Sequence, residues 1–301
     1  MNIAVTIGKI KFKNPVAVAS GTFGHSEKYY NLEEVKKLGA LTPKTVTLKA
    51  QEGNPPPRIV ETPSGMLNAI GIENPGADAF IQAKLPLFKG IGIPIIISIL
   101  GHTDREFTVL AQKFNKAGGV SVLELNLSCP NLGKKVLVAQ DPKATYRVVK
   151  AVKKISDYPV IAKLAPNVTD VTTIAKAAED AGADGVSLIN TFSGMVIDVH
   201  KRASVLGNVT GGVSGPAIRP MAVDMVYKTA QKIKIPIVAM GGITTGEDAL
   251  QYIIAGATMV AVGTANFINP RAPLDVLNGI ISYMRKNKVT DIHKLIGCVK
   301  S

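Results

Sequence analysis

The run Asn126-Leu127-Ser128-Cys129-Pro130-Asn131 sets a cysteine beside a proline and between two asparagines. A thiol with an ordinary pKa of about 8.5 is a few per cent thiolate at neutral pH, which makes Cys129 a candidate nucleophile or acid/base. The flanking amides donate and accept, so the surroundings suit a planar, hydrogen-bond-rich substrate. Cys298, close to the carboxyl end, has no such neighbours. Lys44 and Lys163 stand within or at the ends of apolar runs. A lysine there is costly to bury unless it meets an anion or an electron-rich ligand. Either lysine could also serve as the Schiff-base nucleophile of a lyase or isomerase. Gly241-Gly242 and Gly263-Thr264 supply the small residues with which backbone N–H groups cradle a phosphate, of substrate or of cofactor.

These residues share a place in the pattern of elements. Apolar, β-branched runs at 16–19, 45–48, 93–99, 122–127, 160–164, 185–189, 237–239 and 259–262 read as strands buried on both faces. Amphipathic stretches at 104–117, 142–155, 171–181, 216–232 and 247–255 read as helices, several entered at Asp, Thr or Pro. Gly118, Gly182 and Gly256 sit where such helices would close. The alternation predicts a parallel sheet and fits a closed (β/α)8 TIM barrel, one domain over residues 1–301, better than an open doubly wound sheet. Polar or glycine residues follow every strand: Ser20, Lys44 and Thr45, Ser98, Asn126, Lys163, Asn190 and Thr191, then the two glycine loops. In a barrel these stand at the carboxyl-end mouth, where active sites are built, and loops after the last two strands often hold phosphate. Segments 51–74 and 192–215 break the rhythm, and long connections of that kind are usually functional.

Composition narrows the alternatives. The chain has 301 residues, 46% hydrophobic and 19% charged, enough for a large core. Two cysteines cannot hold an iron–sulfur cluster, which needs about four ligands, so any cluster belongs to another chain. The net charge of +13 invites a nucleic-acid reading. The basic excess is spread over both halves, however, without long like-charge runs, and aromatics for base stacking make up only 5%. The amino-terminal residues carry polar groups every few positions, and the most apolar stretch, 91–100, is half a membrane span, so a cytoplasmic protein is expected.

Taken together, Ala19-Ser20-Gly21-Thr22, Lys44-Thr45-Val46-Thr47, Asn68-Ala69-Ile70-Gly71-Ile72-Glu73-Asn74-Pro75-Gly76, Asn126 to Asn131, Lys163-Leu164-Ala165-Pro166-Asn167, Asn190-Thr191 and Gly211-Gly212-Val213-Ser214-Gly215-Pro216-Ala217-Ile218 resemble the motifs of the dihydroorotate dehydrogenases, in order and over nearly the whole chain. The cysteine is that of the class 1 enzymes, and the segments at 165–170 and 212–220 are most similar to the B-type catalytic subunit.

The resemblance implies FMN-dependent oxidation of dihydroorotate to orotate in pyrimidine synthesis, with Cys129 taking a proton from C5 while the C6 hydrogen leaves as hydride. It implies pyrimidine contacts from Lys44, Asn68, Ala69, Ile70, Gly71, Ile72, Asn126, Asn131, Asn190 and Thr191. Flavin contacts are implied for Ser20, Lys44, Thr45, Ser98, Asn126, Lys163 and Ile189, and phosphate contacts for Gly215, Gly241, Gly242, Gly263 and Thr264. At Ser98 the family commonly has asparagine, and the shorter hydroxyl changes that contact. Residues 132–140 are expected to form a lid. A homodimer core joined to a subunit carrying FAD and a [2Fe-2S] cluster, in a heterotetramer passing electrons to NAD⁺, is the implied assembly. A dihydropyrimidine dehydrogenase acting on uracil or thymine is the nearest alternative.

Overall fold

The computed structural model describes residues 1–23, 31–128 and 137–300. The apolar runs form one parallel sheet: β1 (Val16–Val18), β2 (Val46–Thr47), β3 (Ile96–Leu100), β4 (Val122–Asn126), β5 (Val160–Lys163), β6 (Gly185–Leu188), β7 (Ile237–Ala239) and β8 (Met259–Val262). From β2 to β8 each strand pairs with the next in sequence, and β8 returns to pair with β1. The remaining seam, between β1 and β2, is joined by residues ahead of β2, through parallel bridges from Ala17 to Ala40 and from Leu41 to Ile95 just before β3. The sheet therefore closes as a (β/α)8 barrel.

Why these runs become strands is visible in their burial: every residue of β3 and β4 is buried, because one face meets the barrel interior and the other meets helices. The principal outer helices are α1 (Asp104–Ala117), α2 (Pro142–Lys153), α3 (Val171–Asp180), α4 (Arg219–Ala230), α5 (Gly246–Ala255) and α6 (Ala272–Lys286). Thr103, Asp141, Asp170 and Thr245 cap α1, α2, α3 and α5 by accepting from backbone N–H groups of the first turn. The expected helix-closing residues Gly118, Gly182 and Gly256 all have positive φ. Helix α6 is not singled out by the sequence pattern. An antiparallel hairpin of Val5–Ile7 and Ile10–Phe12 covers the amino-terminal end of the barrel, with Ile7 and Phe12 fully buried and Ile7 against Gly185 at the start of β6.

The two arrhythmic segments pair with each other. Ile59–Thr62, Gly65–Asn68, Gly211–Ser214 and Phe192–Gly194 form a four-stranded antiparallel sheet, in register Asn68 to Gly212 and Leu67 to Val213. Leu67, Ala69 and Leu206 give it a small core of its own. Among the described residues no helix is long and apolar enough to cross a membrane.

Candidate active site

A cavity of about 420 Å³ opens at the carboxyl ends of the strands, roofed by Ile59, Met66 and Asn68 of the antiparallel sheet and by Ile70 and Ile72. Ser20 after β1, Lys44 and Thr45 before β2, Asn126 of β4, Lys163 of β5, and Ile189, Asn190 and Thr191 after β6 line it, as do Gly241, Gly242, Gly263 and Thr264. Residues from opposite ends of the chain are thus brought to one mouth.

The floor is a hydrogen-bonded row of hydroxyls. Thr45 Oγ1 lies 3.0 Å from Ser20 Oγ and 3.0 Å from Ser98 Oγ, and Asn126 Nδ2 donates to it at 3.4 Å. Ser20 Oγ also donates to the Pro43 carbonyl at 2.9 Å. Ser98 itself is buried and lies one layer below, outside the cavity lining. Its short side chain holds Thr45 in place. Ala69 belongs to the small core of the roof, and Gly71 and Gly215 are not among the residues lining the cavity. Cys129, Asn131 and residues 132–136 of the expected lid lie outside the described residues.

Lys163 and Lys44 are desolvated in different ways. Lys163 Nζ stands 3.9 Å from Glu124 Oε1, with both side chains almost wholly buried. The other carboxylate oxygen accepts from Ser187 Oγ at 2.8 Å. Glu124 Oε1 has no hydrogen-bond partner among the described residues. Glu124 is absent from the expected site, although its position two residues before Asn126 on an apolar strand puts both on the barrel-interior face. Among the described residues Lys44 pairs with no carboxylate: burial, with the nearby charge of Lys163, depresses its pKa to about 8, and Glu73 opposes this. Such a lysine gains most from an anion placed beside it.

Around the loops after β7 and β8 the described lining holds no lysine. Gly241 and Gly242 have φ of +135° and +65°, and a Cβ on Gly242 would lie 2.6 Å from the Gly215 carbonyl oxygen. Thr264 Oγ1 donates to Ser214 Oγ at 2.8 Å, tying the loop after β8 to the roof. Among the described residues, the N–H groups of Gly241, Gly242, Gly263 and Thr264 donate to no protein acceptor. Apolar Ile189, Ile218 and Met240 also line the cavity. On the roof side, Asn68 Nδ2 donates to the Gly212 carbonyl at 3.3 Å, and Asn190 Oδ1 accepts from the Thr191 N–H at 2.8 Å. Asn167, outside the lining, fixes this corner by donating to the Thr191 carbonyl and accepting from the Ser193 N–H. A Cβ on Gly212 would collide with Thr191, so the glycine admits that side chain.

The arrangement offers two kinds of partner to an anion, lysine ammonium groups and open backbone amides, beside apolar walls and hydrogen-bonding side chains. The family model for dihydroorotate dehydrogenase matches residues 2–284. A relative from Lachnoclostridium phytofermentans, named dihydroorotate dehydrogenase B (NAD(+)), catalytic subunit, is 50% identical over 301 residues and covers 100% of both chains. Relatives of the same name from Geotalea uraniireducens and a Thermoanaerobacter species are each 47% identical, covering 99% and 100% of this chain and 98% and 99% of their own. With a match running the length of the barrel and the motif residues gathered at its mouth, the chain belongs to the dihydroorotate dehydrogenase family.

Proposed function

We propose that this chain oxidises dihydroorotate to orotate in pyrimidine synthesis, with FMN as its own cofactor and NAD⁺ as final acceptor. The observation that supports this best is the meeting, in one cavity, of buried Lys163 and half-buried Lys44 with a glycine-built row of open amides. A flavin phosphate next to a carboxylated pyrimidine calls for both. The residues suit FMN: Gly241, Gly242, Gly263 and Thr264, backed by Gly215, for the phosphate, Ile189 and Met240 for the ring, and Ser20, Thr45, Asn126 and Lys163 for its polar edge. When bound, FMN supplies the two-electron acceptor for the hydrogen on C6 of the substrate.

The protein does the rest. Lys44 holds the substrate carboxylate, and Asn68, Asn126, Asn131, Asn190 and Thr191 hydrogen-bond the pyrimidine, under the roof segment 69–72. Held in that orientation, the ring gives up its C5 proton to the thiolate of Cys129, on the face away from the departing hydride. Loss of one proton and one hydride leaves orotate. Closing the site around the lysines strengthens both charge contacts by excluding water. Two cysteines cannot ligate a cluster, and the resemblance to the B-type catalytic subunit supports onward electron transfer through a partner subunit carrying FAD and a [2Fe-2S] cluster, bound to a dimer of this chain.

Anaerobic titration of the flavin-loaded chain tests substrate and acceptor together. Dihydroorotate is expected to bleach the flavin absorbance and NAD⁺, with the partner subunit, to restore it. Bleaching by dihydrouracil and not by dihydroorotate would instead identify a dihydropyrimidine dehydrogenase. Cys129→Ala is expected to retain flavin but slow its reduction by about two to four orders of magnitude. A wild-type reduction rate in that variant removes Cys129 from the role of base.

A further inference from the structure

The Gly241-Gly242 turn is fixed by side chains that lie outside the cavity wall. Tyr252, fully buried on α5, donates its hydroxyl to the Gly241 carbonyl at 2.5 Å. Burial holds that phenol's pKa above its ordinary value, so it remains a donor. Arg219, at the start of α4, donates from Nη1 to the Gly242 carbonyl at 3.4 Å and pairs with Asp248 Oδ1 at 2.6 Å. Asp248 Oδ2 in turn accepts from the N–H groups of Thr244 and Thr245, at 2.9 and 3.0 Å, and from Thr244 Oγ1 at 2.6 Å. Two helices thus grip every residue of the turn from behind, except Ile243.

The direction of that grip matters. In a planar trans peptide, the C=O and the following N–H point opposite ways. Drawing the Gly241 carbonyl onto Tyr252 therefore turns the Gly242 N–H away from α5, and drawing the Gly242 carbonyl onto Arg219 turns the Ile243 N–H away from α4. Among the described residues neither N–H donates to a protein acceptor. Gly242 lines the cavity, so its N–H is open to a ligand there, and Ile243, buried directly after it in the chain, carries the kind of backbone donor that is rarely left without an acceptor. Reversing either peptide would present a carbonyl oxygen to the ligand, and a carbonyl repels a phosphate.

We propose that Tyr252 and the Arg219–Asp248 pair are positioning residues that preset this turn as a phosphate cradle, holding its carbonyls back and its amides open before the ligand arrives. The inference rests on the reading of this end of the cavity as the phosphate end. Its consequence is selective: loss of the grip weakens the hold on phosphate and leaves the ring contacts of Lys163, Ile189 and Met240 intact.

The test compares FMN with riboflavin, which lacks the phosphate, by fluorescence titration of the full chain freed of flavin. The wild type is expected to prefer FMN. Tyr252→Phe keeps the buried ring and removes the one hydroxyl; it is expected to weaken FMN about tenfold, the scale of a hydrogen-bonded contact to a charged group, and to leave riboflavin within twofold. Asp248→Asn, which loosens Arg219, is expected to act in the same direction, and it carries the test alone if Tyr252→Phe does not fold. A wild type that binds the two ligands equally overturns the phosphate reading itself. A wild type that prefers FMN, with variants that keep the same preference or lose both ligands in parallel, overturns the positioning role and leaves the phosphate reading standing.

Discussion

Among the described residues, the part of the cavity built on β2 and β5 offers an anion the ammonium groups of Lys44 and Lys163, whereas the part built on the loops after β7 and β8 offers it backbone N–H groups. Side-chain charge is strong in a desolvated site, but it brings obligations. It must be neutralised when the ligand is away, as Glu124 does for Lys163, or it moves toward losing its proton, as Lys44 does. Amides bear no proton to lose and need no counter-ion. What they require is a backbone conformation that only glycine adopts cheaply, and side chains behind it to keep the carbonyls turned away. One end is therefore coupled to charge and pH, and the other to backbone shape.

The difference is broken most severely at Lys163. Lys163→Met leaves Glu124 buried with no cation beside it, and removing one partner of a buried pair costs about 3–5 kcal/mol. Urea unfolding at neutral pH should show that loss. The double variant Lys163→Met/Glu124→Gln should recover most of the stability while leaving ligand affinity impaired. If the single variant is as stable as the wild type, the lysine end carries no such obligation.

A smaller effect is expected where the other end is strained. Gly242→Ala places a Cβ at a φ of +65°, which alone costs about 1–2 kcal/mol. That Cβ also meets the backbone of Gly215 and Pro216, so the turn must shift. Affinity for FMN should fall more than affinity for riboflavin, and its pH dependence should match the wild type. A new pH dependence in Gly242→Ala would mean that the two ends are not independent.

The barrel was far more legible in the sequence than its roof, and the reason is physical. Barrel strands are buried on both faces, so they stand out as continuous apolar runs, and all eight predicted runs are strands of the sheet. The roof strands are short and half-exposed, contain Gly194, Gly211 and Gly212, and are stabilised by pairing residues as distant as Asn68 and Gly212. Local pattern holds no record of such pairing. At the site, polar residues ending apolar strands announced themselves, and Ser20, Lys44, Thr45, Asn126, Lys163, Asn190 and Thr191 do line the cavity. Glu124 gives a fainter signal, a single charge inside an apolar run and in phase with Asn126. Tyr252 and Arg219 had no comparable signal, since each reaches the glycine turn from the start or body of a helix and acts on a carbonyl.

Lys44 offers the finest discrimination between the two ends, because its contribution can be titrated. In the ligand-free protein its pKa is depressed to about 8. An anionic ligand beside it favours the ammonium form and raises that value, so binding takes up a proton wherever the free lysine has lost one. Affinity for orotate should be level well below pH 8 and fall as pH rises through 8, approaching tenfold per pH unit before the pKa of the bound state is reached. The unliganded fold should show the opposite slope: from about pH 8 to the unfolded value of 10.5 the unfolded chain binds more protons, so stability rises with pH across that window. Orotate dissociation constants read from the perturbed flavin spectrum, for wild type and Lys44→Met side by side, separate this effect from titration of the ligand itself. Lys44→Met should bind more weakly at pH 7 and lack the extra fall above pH 8. If both proteins follow the same pH curve, the ammonium of Lys44 is not what holds the anion, and charge at that end belongs to Lys163 alone.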